Sequence, residues 1–201
     1  MMLSDRDIRR RIAGRPSGDR VTALDRALAD SLKLVIEPMP ADNCFQPHSV
    51  ELTLAPIIKI ENEGADYYTE PTWHDLDIST WNFFDDRPGQ YPLMPGQFLL
   101  ASTVEKVTIP HDLCGRADGK SSIGRRGVGI HVTAGLLDAG WSGTVTLEMT
   151  NSSGSVFWLR PGMKICQLTF EQLSSPVMRP YGHPELDNHY QDQSGPTISV
   201  L

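Results

Sequence analysis

The densest chemistry in the chain lies in Asp118-Gly119-Lys120-Ser121-Ser122-Ile123-Gly124-Arg125-Arg126-Gly127, where three cations, two hydroxyls and three glycines fall within ten residues. Glycines let backbone N–H groups approach an anion and hydroxyls donate to phosphate oxygens. Lys and Arg neutralise charge, with Arg able to bond bidentately. This is a phosphate-binding composition, although a solvated basic turn standing alone would read the same way. A Walker loop, G-x-x-x-x-G-K-[ST], would need a glycine at position 114, where this chain has Cys114. No strand-loop-helix unit surrounds the segment either, so that reading is rejected.

A second feature is the run Gly140-Trp141-Ser142-Gly143-Thr144-Val145-Thr146-Leu147-Glu148-Met149-Thr150-Asn151. On a strand, Val145, Leu147 and Met149 point one way, and Thr144, Thr146, Glu148 and Thr150 the other. A single exposed Glu is usually ordinary surface. If this face lines a pocket, desolvation makes the Glu148 carboxylate a better proton acceptor, suited to activating water. Between the two features lies His131-Val132-Thr133-Ala134-Gly135-Leu136-Leu137-Asp138-Ala139-Gly140. Small residues at 134 and 135 allow close approach to a flat ring, and Asp138 offers acceptors to a hydroxyl. Turn chemistry explains Gly135, Asp138 and Gly140 equally well. His131 alternates with Val132 on an expected strand and reads as a structural histidine.

The elements that must position these residues are mostly strands. Ser4 with Asp7 resembles a helix cap, and Ile8 and Ile12 share a face, so a helix is expected over Ser4–Ala13. Gly14 to Gly18 breaks it, and Leu24, Ala27, Leu28 and Leu32 continue a helical pattern, giving a helical amino-terminal segment over 1–33. From Ser49 the period becomes two. Strands are expected at Ser49–Leu54, Ile57–Ile60, Phe98–Val104, Val128–Val132, Thr144–Thr150, Val156–Leu159 and Met163–Phe170, with irregular loops in Glu61–Pro92. Many short strands punctuated by Gly and Pro predict a mainly β, jelly-roll or β-sandwich fold. One domain spanning 1–201 is expected, with a polar, mobile tail at 182–201.

A formal net charge of −7 argues against nonspecific binding to nucleic acid or to an anionic membrane. An anionic small molecule would need a local cationic pocket. No long apolar run occurs, and the amino terminus is charged too early for a secretory signal, which predicts a cytosolic protein. Cys44, Cys114 and Cys166 form no C-x-x-C pair and are odd in number, so buried free thiols are expected rather than disulfides or zinc.

Gly119-Lys120-Ser121-Ser122-Ile123-Gly124-Arg125, Thr133-Ala134-Gly135-Leu136-Leu137-Asp138-Ala139-Gly140 and Thr146-Leu147-Glu148, in that order, resemble the dCTP deaminases of the trimeric dCTP deaminase/dUTPase superfamily. The likeness extends to Leu3–Ile8, Gln46–Leu52, Pro95-Gly96-Gln97-Phe98, Arg160–Ile165 and Tyr190–Thr197. It implies a homotrimer of distorted jelly-roll subunits, with sites at subunit interfaces and a tail that folds over nucleotide. Glu148 is then the general base and later acid that drives water onto C4 of cytosine. Ser121 and the backbone at Ala134 help hold that water, and Arg125 polarises around Glu148. Lys120, Ser121, Ser122 and the Ile123-Gly124 backbone meet the phosphates, Asp138 accepts the 3′-hydroxyl, and Thr146, Leu147 and Glu148 form the strand that reads the base. Gln167, Tyr181, His189 and Gln193 contact nucleotide as the tail closes. Magnesium arrives on the triphosphate rather than in a protein cage, and no zinc is implied, because the H-x-E and P-C-x-x-C motifs of zinc deaminases are absent.

Two features depart from the family pattern: an insertion at about 16–31, and His189 where many relatives carry lysine. Thr133-Ala134-Gly135 resembles members that continue from dCTP to dUMP. A dUTPase without deaminase activity and a non-catalytic nucleotide-binding member are the competing readings, and Glu148 argues against the first, as the intact set of Ser121, Arg125 and Glu148 does against the second.

Overall fold

The computed structural model of the chain describes residues 1–15, 32–62, 71–82, 87–133 and 135–200. Helix α1 (Asp5–Ile12) is capped by Ser4, whose Oγ accepts the N–H of Asp7 at 3.3 Å. Asp5 and Asp7 in its first turn and Arg9, Arg10 and Arg11 in its last complement the helix dipole. Then follow β1 (Val35–Glu37), β2 (Phe45–Gln46), β3 (Ser49–Thr53), β4 (Ile57–Glu61), β5 (Trp73–Asp77), β6 (Tyr91–Leu93), β7 (Phe98–Thr108) and β8 (Leu113–Gly119). A single helical turn, α2 (Ser121–Gly124), precedes β9 (Val128–Gly129), β10 (Leu136–Leu137), β11 (Ser142–Asn151), β12 (Phe157–Leu159) and β13 (Lys164–Gln172).

These strands pair antiparallel into one sheet ordered β5-β4-β7-β11-β9, with β1 on the far end of β7, and a second ordered β10-β8-β13-β3-β2; β12 and β6 form a small ribbon. One apolar cluster joins both large sheets. The first contributes Leu99, Ala101, Val145, Leu147 and Met149, and the second Val50, Leu52, Ile165, Leu168 and Phe170. The result is the mainly β, jelly-roll-like fold that the punctuated short strands predict. No described helix is long and apolar enough to cross a membrane.

A buried ion pair ties α1 to the second sheet. Arg11, 1% exposed, donates from Nη1 to Asp112 Oδ2 at 3.0 Å and from Nη2 to Asp112 Oδ1. Its Nε donates to the Leu32 carbonyl at 2.8 Å, and Gln172 Nε2 donates to Asp112 Oδ2 at 2.9 Å. With all three guanidinium nitrogens hydrogen-bonded, a cation in the core is tolerable.

Three expectations need correcting. The strand expected over Val128–Val132 stops at Gly129, because the next amides turn away from the sheet toward a carboxylate described below. His131 is therefore not on a strand. Strand β8 shows little periodicity in Leu-Cys-Gly-Arg-Ala-Asp-Gly, and β5, Trp-His-Asp-Leu-Asp, shows none. Cys44 and Cys166 are buried but Cys114, on the outer face of β8, is only partly so; all three are free. Burial pushes the Cys166 thiol up to about 12, which leaves it unreactive. The helical pattern at Leu24, Ala27 and Leu28 lies outside the described residues, while Leu32 is buried.

Replacing Asp112 by Ala strands the Arg11 guanidinium in the core and is expected to cost about 3–5 kcal/mol of stability in urea unfolding. The double variant Arg11→Met/Asp112→Leu should recover most of that loss; equal loss in both would mean that the pair is not what the position requires.

Candidate active site

Strand β11 carries the carboxylate. Its burial alternates along the strand: Val145, Leu147 and Met149 are in the core, and Thr144, Thr146, Glu148 and Thr150 are half-buried on the opposite face. Glu148 Oε2 accepts the N–H of Val132 at 2.7 Å and that of Thr133 at 3.3 Å. Those two bonds end β9 early and clasp Val132 and Thr133 against β11. They also fix the carboxylate in one orientation.

Glu148 opens into a cleft of about 480 Å³, within the span of small-molecule sites at roughly 300–1,000 Å³. Asp138, Trp141, Thr146, Tyr181 and Gln193 line it beside Glu148. Its far wall is apolar: Leu100 sits opposite Glu148 across the β7–β11 ladder, Phe98 opposite Thr150, and Trp73 meets the Phe98 ring edge-on at 5.9 Å. Of these residues, Trp73, Phe98, Leu100 and Trp141 carry no site signal in the sequence. Phe98 and Leu100 reach the cleft only because β7 lies beside β11.

The carboxy-terminal segment lies along the same face. Thr144 N donates to the Gln193 carbonyl at 3.0 Å, Gln193 Nε2 to the Thr144 carbonyl at 2.9 Å, and Gly195 N to Thr144 Oγ1 at 2.9 Å. Thr197 N donates to Thr146 Oγ1 at 3.3 Å, and Trp141 Nε1 to the Tyr190 carbonyl at 2.9 Å. Tyr181 is held by its N–H on the Ala139 carbonyl at 2.8 Å. This path requires Gly140. Its φ is +91°, and a Cβ there would lie 2.5 Å from Pro180 Cβ. Gly135 likewise has no room for a side chain, with a Cβ falling 2.9 Å from the Ala117 carbonyl. The close approach at 135 is thus to the chain's own backbone.

The cationic segment is elsewhere. No described residue lining the cleft comes from 119–125. Ser121, Ser122, Gly124 and Arg125 are exposed on and beside α2, and Ile123 anchors that turn in the core. Lys120 folds back onto Glu51 of β3, Nζ to Oε1 at 2.6 Å, and Lys164 reaches the other oxygen of the same carboxylate at 2.9 Å. Burial raises the Glu51 pKa, but the two ammonium groups outweigh it and hold the carboxyl below its ordinary value. Gln167 stands between Glu51 and Asp118 in the β3-β13-β8 register. Neither Glu51 nor Lys164 is evident as a site residue from the sequence.

The remaining residues divide accordingly. The Leu147 side chain is in the core and does not line the cleft. His189 is exposed, 3.8 Å from Asp187, and outside the cleft. His131 lies 4.0 Å from Asp118, with Nδ1 buried and unpaired. Ala134 lies outside the described residues. One chain therefore brings together Asp138, Thr146, Glu148, Tyr181 and Gln193, and carries Lys120, Ser121, Ser122 and Arg125 on the segment that follows β8, with Gln167 on the adjacent strand β13.

Two antiparallel sheets around one core, with a carboxylate cleft on the first and a cationic, hydroxyl-rich turn issuing from the second, define a jelly-roll-like protein with a small-molecule site. The chain belongs to the dCTP deaminase-like family, whose model matches residues 20–173. The protein named dCTP deaminase, dUMP-forming, of Corynebacterium glutamicum is 40% identical over 199 residues, covering 99% of this chain and 95% of that one. Its namesake from Methanosphaera stadtmanae is 37% identical over 179 residues, covering 86% and 88%. Among solved structures, the 2′-deoxycytidine 5′-triphosphate deaminase from Agrobacterium tumefaciens matches 85% of this chain with a TM-score of 0.58 and 21% identity, a likeness of fold. This chain spans 48% of that protein's length.

Gly140→Ala should unseat the tail without unfolding the domain. Hydrogen exchange is expected to quicken at the amides of Tyr181, Thr144 and Gly195 while those of β7 and β13 stay protected; unchanged protection at Thr144 and Gly195 would show that the tail does not depend on this turn.

Proposed function

We propose that this chain hydrolyses the C4–amino bond of dCTP to give dUTP and ammonia, and carries the product on to dUMP and diphosphate. The observation that supports the first step is Glu148, a carboxylate on a core-locked strand, oriented by two backbone amides at the polar side of a nucleoside-sized cleft. Support for the second step is the name carried by relatives 37–40% identical to this chain.

In this reading the cytosine lies against Thr146 and Glu148, and Asp138 accepts the 3′-hydroxyl. Glu148 takes a proton from water as the water oxygen bonds to C4, and delivers that proton to N3. It then moves the second proton from the new C4 hydroxyl to the amino group, which leaves as ammonia, so that one carboxylate serves as base and acid in turn. Its two amide donors keep it placed at low reorganisation cost. Ser121 and the Ala134 backbone hold the water, and Arg125 stabilises charge beside Glu148.

The cleft of one chain lacks the 120–125 segment, and that segment is exposed. We therefore assign Lys120, Ser121, Ser122, Arg125 and Gln167 to the site of a neighbouring copy, which supports a homotrimer with interfacial sites. Tyr181, Gln193 and His189 close over the nucleotide. The turn offers cations and hydroxyls rather than an oxygen cage, so magnesium enters as part of the substrate. In this reading the reaction takes place in the cytoplasm, a reducing compartment that suits three free cysteines.

With dCTP and magnesium, the protein is expected to release ammonia and form dUMP, resolved by chromatography. Glu148→Gln should lower ammonia release at least about a thousandfold while nucleotide still binds, and a zinc-selective chelator should leave the rate unchanged. Robust ammonia release by the Gln variant would remove Glu148 from its role; product that stops at dUTP would confine the activity to the first step.

A further inference from the structure

Glu51 is an odd neighbour for a phosphate-binding lysine. Its side chain is 11% exposed and each of its oxygens carries one lysine, Lys120 on Oε1 and Lys164 on Oε2. Lys164 is fixed a second time, donating to the Asn43 carbonyl at 2.6 Å. Among the described residues, Lys120 has no second hydrogen bond of that kind.

We propose that Lys164 is a positioning residue that allows Lys120 to leave Glu51 for the substrate's phosphates. This rests on the reading above that Lys120 meets the triphosphate. A buried carboxylate stripped of its only counter-ion is costly, so Glu51 alone would hold Lys120 back. With Lys164 pinned to Asn43, the carboxylate keeps a partner after Lys120 departs. Two ammonium groups on one carboxylate also repel each other, which weakens the hold on the one that is free to move. Lys164 itself never needs to touch the nucleotide. Glu51 thus holds Lys120 until phosphate competes for it, and Lys164 lowers the cost of releasing it.

The test uses the full chain, with calorimetric binding of magnesium-inorganic triphosphate alongside dCTP steady-state kinetics. Lys164→Met should weaken triphosphate binding and raise KM for dCTP by about five- to tenfold, with kcat held within about twofold. Lys164→Arg should behave as the unmodified protein. Adding Glu51→Gln to Lys164→Met removes the charge that pins Lys120 and should return both constants to within about twofold of the starting values. Glu51→Gln alone should bind triphosphate as tightly or more tightly, which keeps the proposal testable if Lys164→Met folds poorly. Unchanged affinity in Lys164→Met, weakened affinity in Glu51→Gln, or a double variant as weak as Lys164→Met would overturn it, the last by implying that Lys164 touches phosphate directly. Triphosphate binding that follows these expectations in a protein releasing no ammonia from dCTP would leave this inference standing and remove the deaminase reading.

Discussion

The two amides of Val132 and Thr133 that bond to Glu148 are the constraint on which the rest of the site depends. They exist because Leu147 and Met149 are locked in the core, which forces Glu148 to the opposite face with no freedom to turn over. A register slip of one residue would exchange the two faces and bury the carboxylate instead. Once the face is set, the same bonds draw Val132 and Thr133 inward and end β9, while Gly135 packs against the Ala117 carbonyl. Orientation of the carboxylate and shape of the cleft are thus one event, arising from the period of a single strand.

A second constraint is electrostatic and divides the site. The fold carries the Glu148 carboxylate on one sheet and the cations on a turn between β8 and β9, with Lys120 held at Glu51. The chain carries a net charge of −7, so these local cations stand against an acidic background. The carboxy-terminal segment runs over the Glu148 face, using Thr144 and Thr146 as hydrogen-bond partners. A nucleotide bound at Thr146 would have to share or displace that contact.

Much of this was legible in the sequence where side-chain period and capping are strong. Alternation at 144–150 predicted the faces of β11, and Ser4 with Asp7 predicted the start of α1. The signal failed where local chemistry does not dictate structure. Strand β8, Leu-Cys-Gly-Arg-Ala-Asp-Gly, has little strand propensity of its own and is held by its neighbours β13 and β10. The premature end of β9 comes from a carboxylate sixteen residues away. Likewise, the apolar wall of Trp73, Phe98 and Leu100 depends on the strand order β5-β4-β7-β11, and the Lys120–Glu51–Lys164 cluster on the order β8-β13-β3. Neither order can be read along the chain. Membership of the family was legible because it rests on several short motifs in a fixed order.

The most direct measurement of the central claim is complementation between two defective subunits. Glu148→Gln and Arg125→Ala chains, each inactive alone, would be co-expressed with different tags and the mixed assemblies isolated. If the carboxylate cleft of one copy is completed by the cationic turn of the next, some interfaces in the mixture hold both intact halves, and ammonia release from dCTP returns. Mixed assemblies as inactive as either parent would contradict a site built from two copies of this chain.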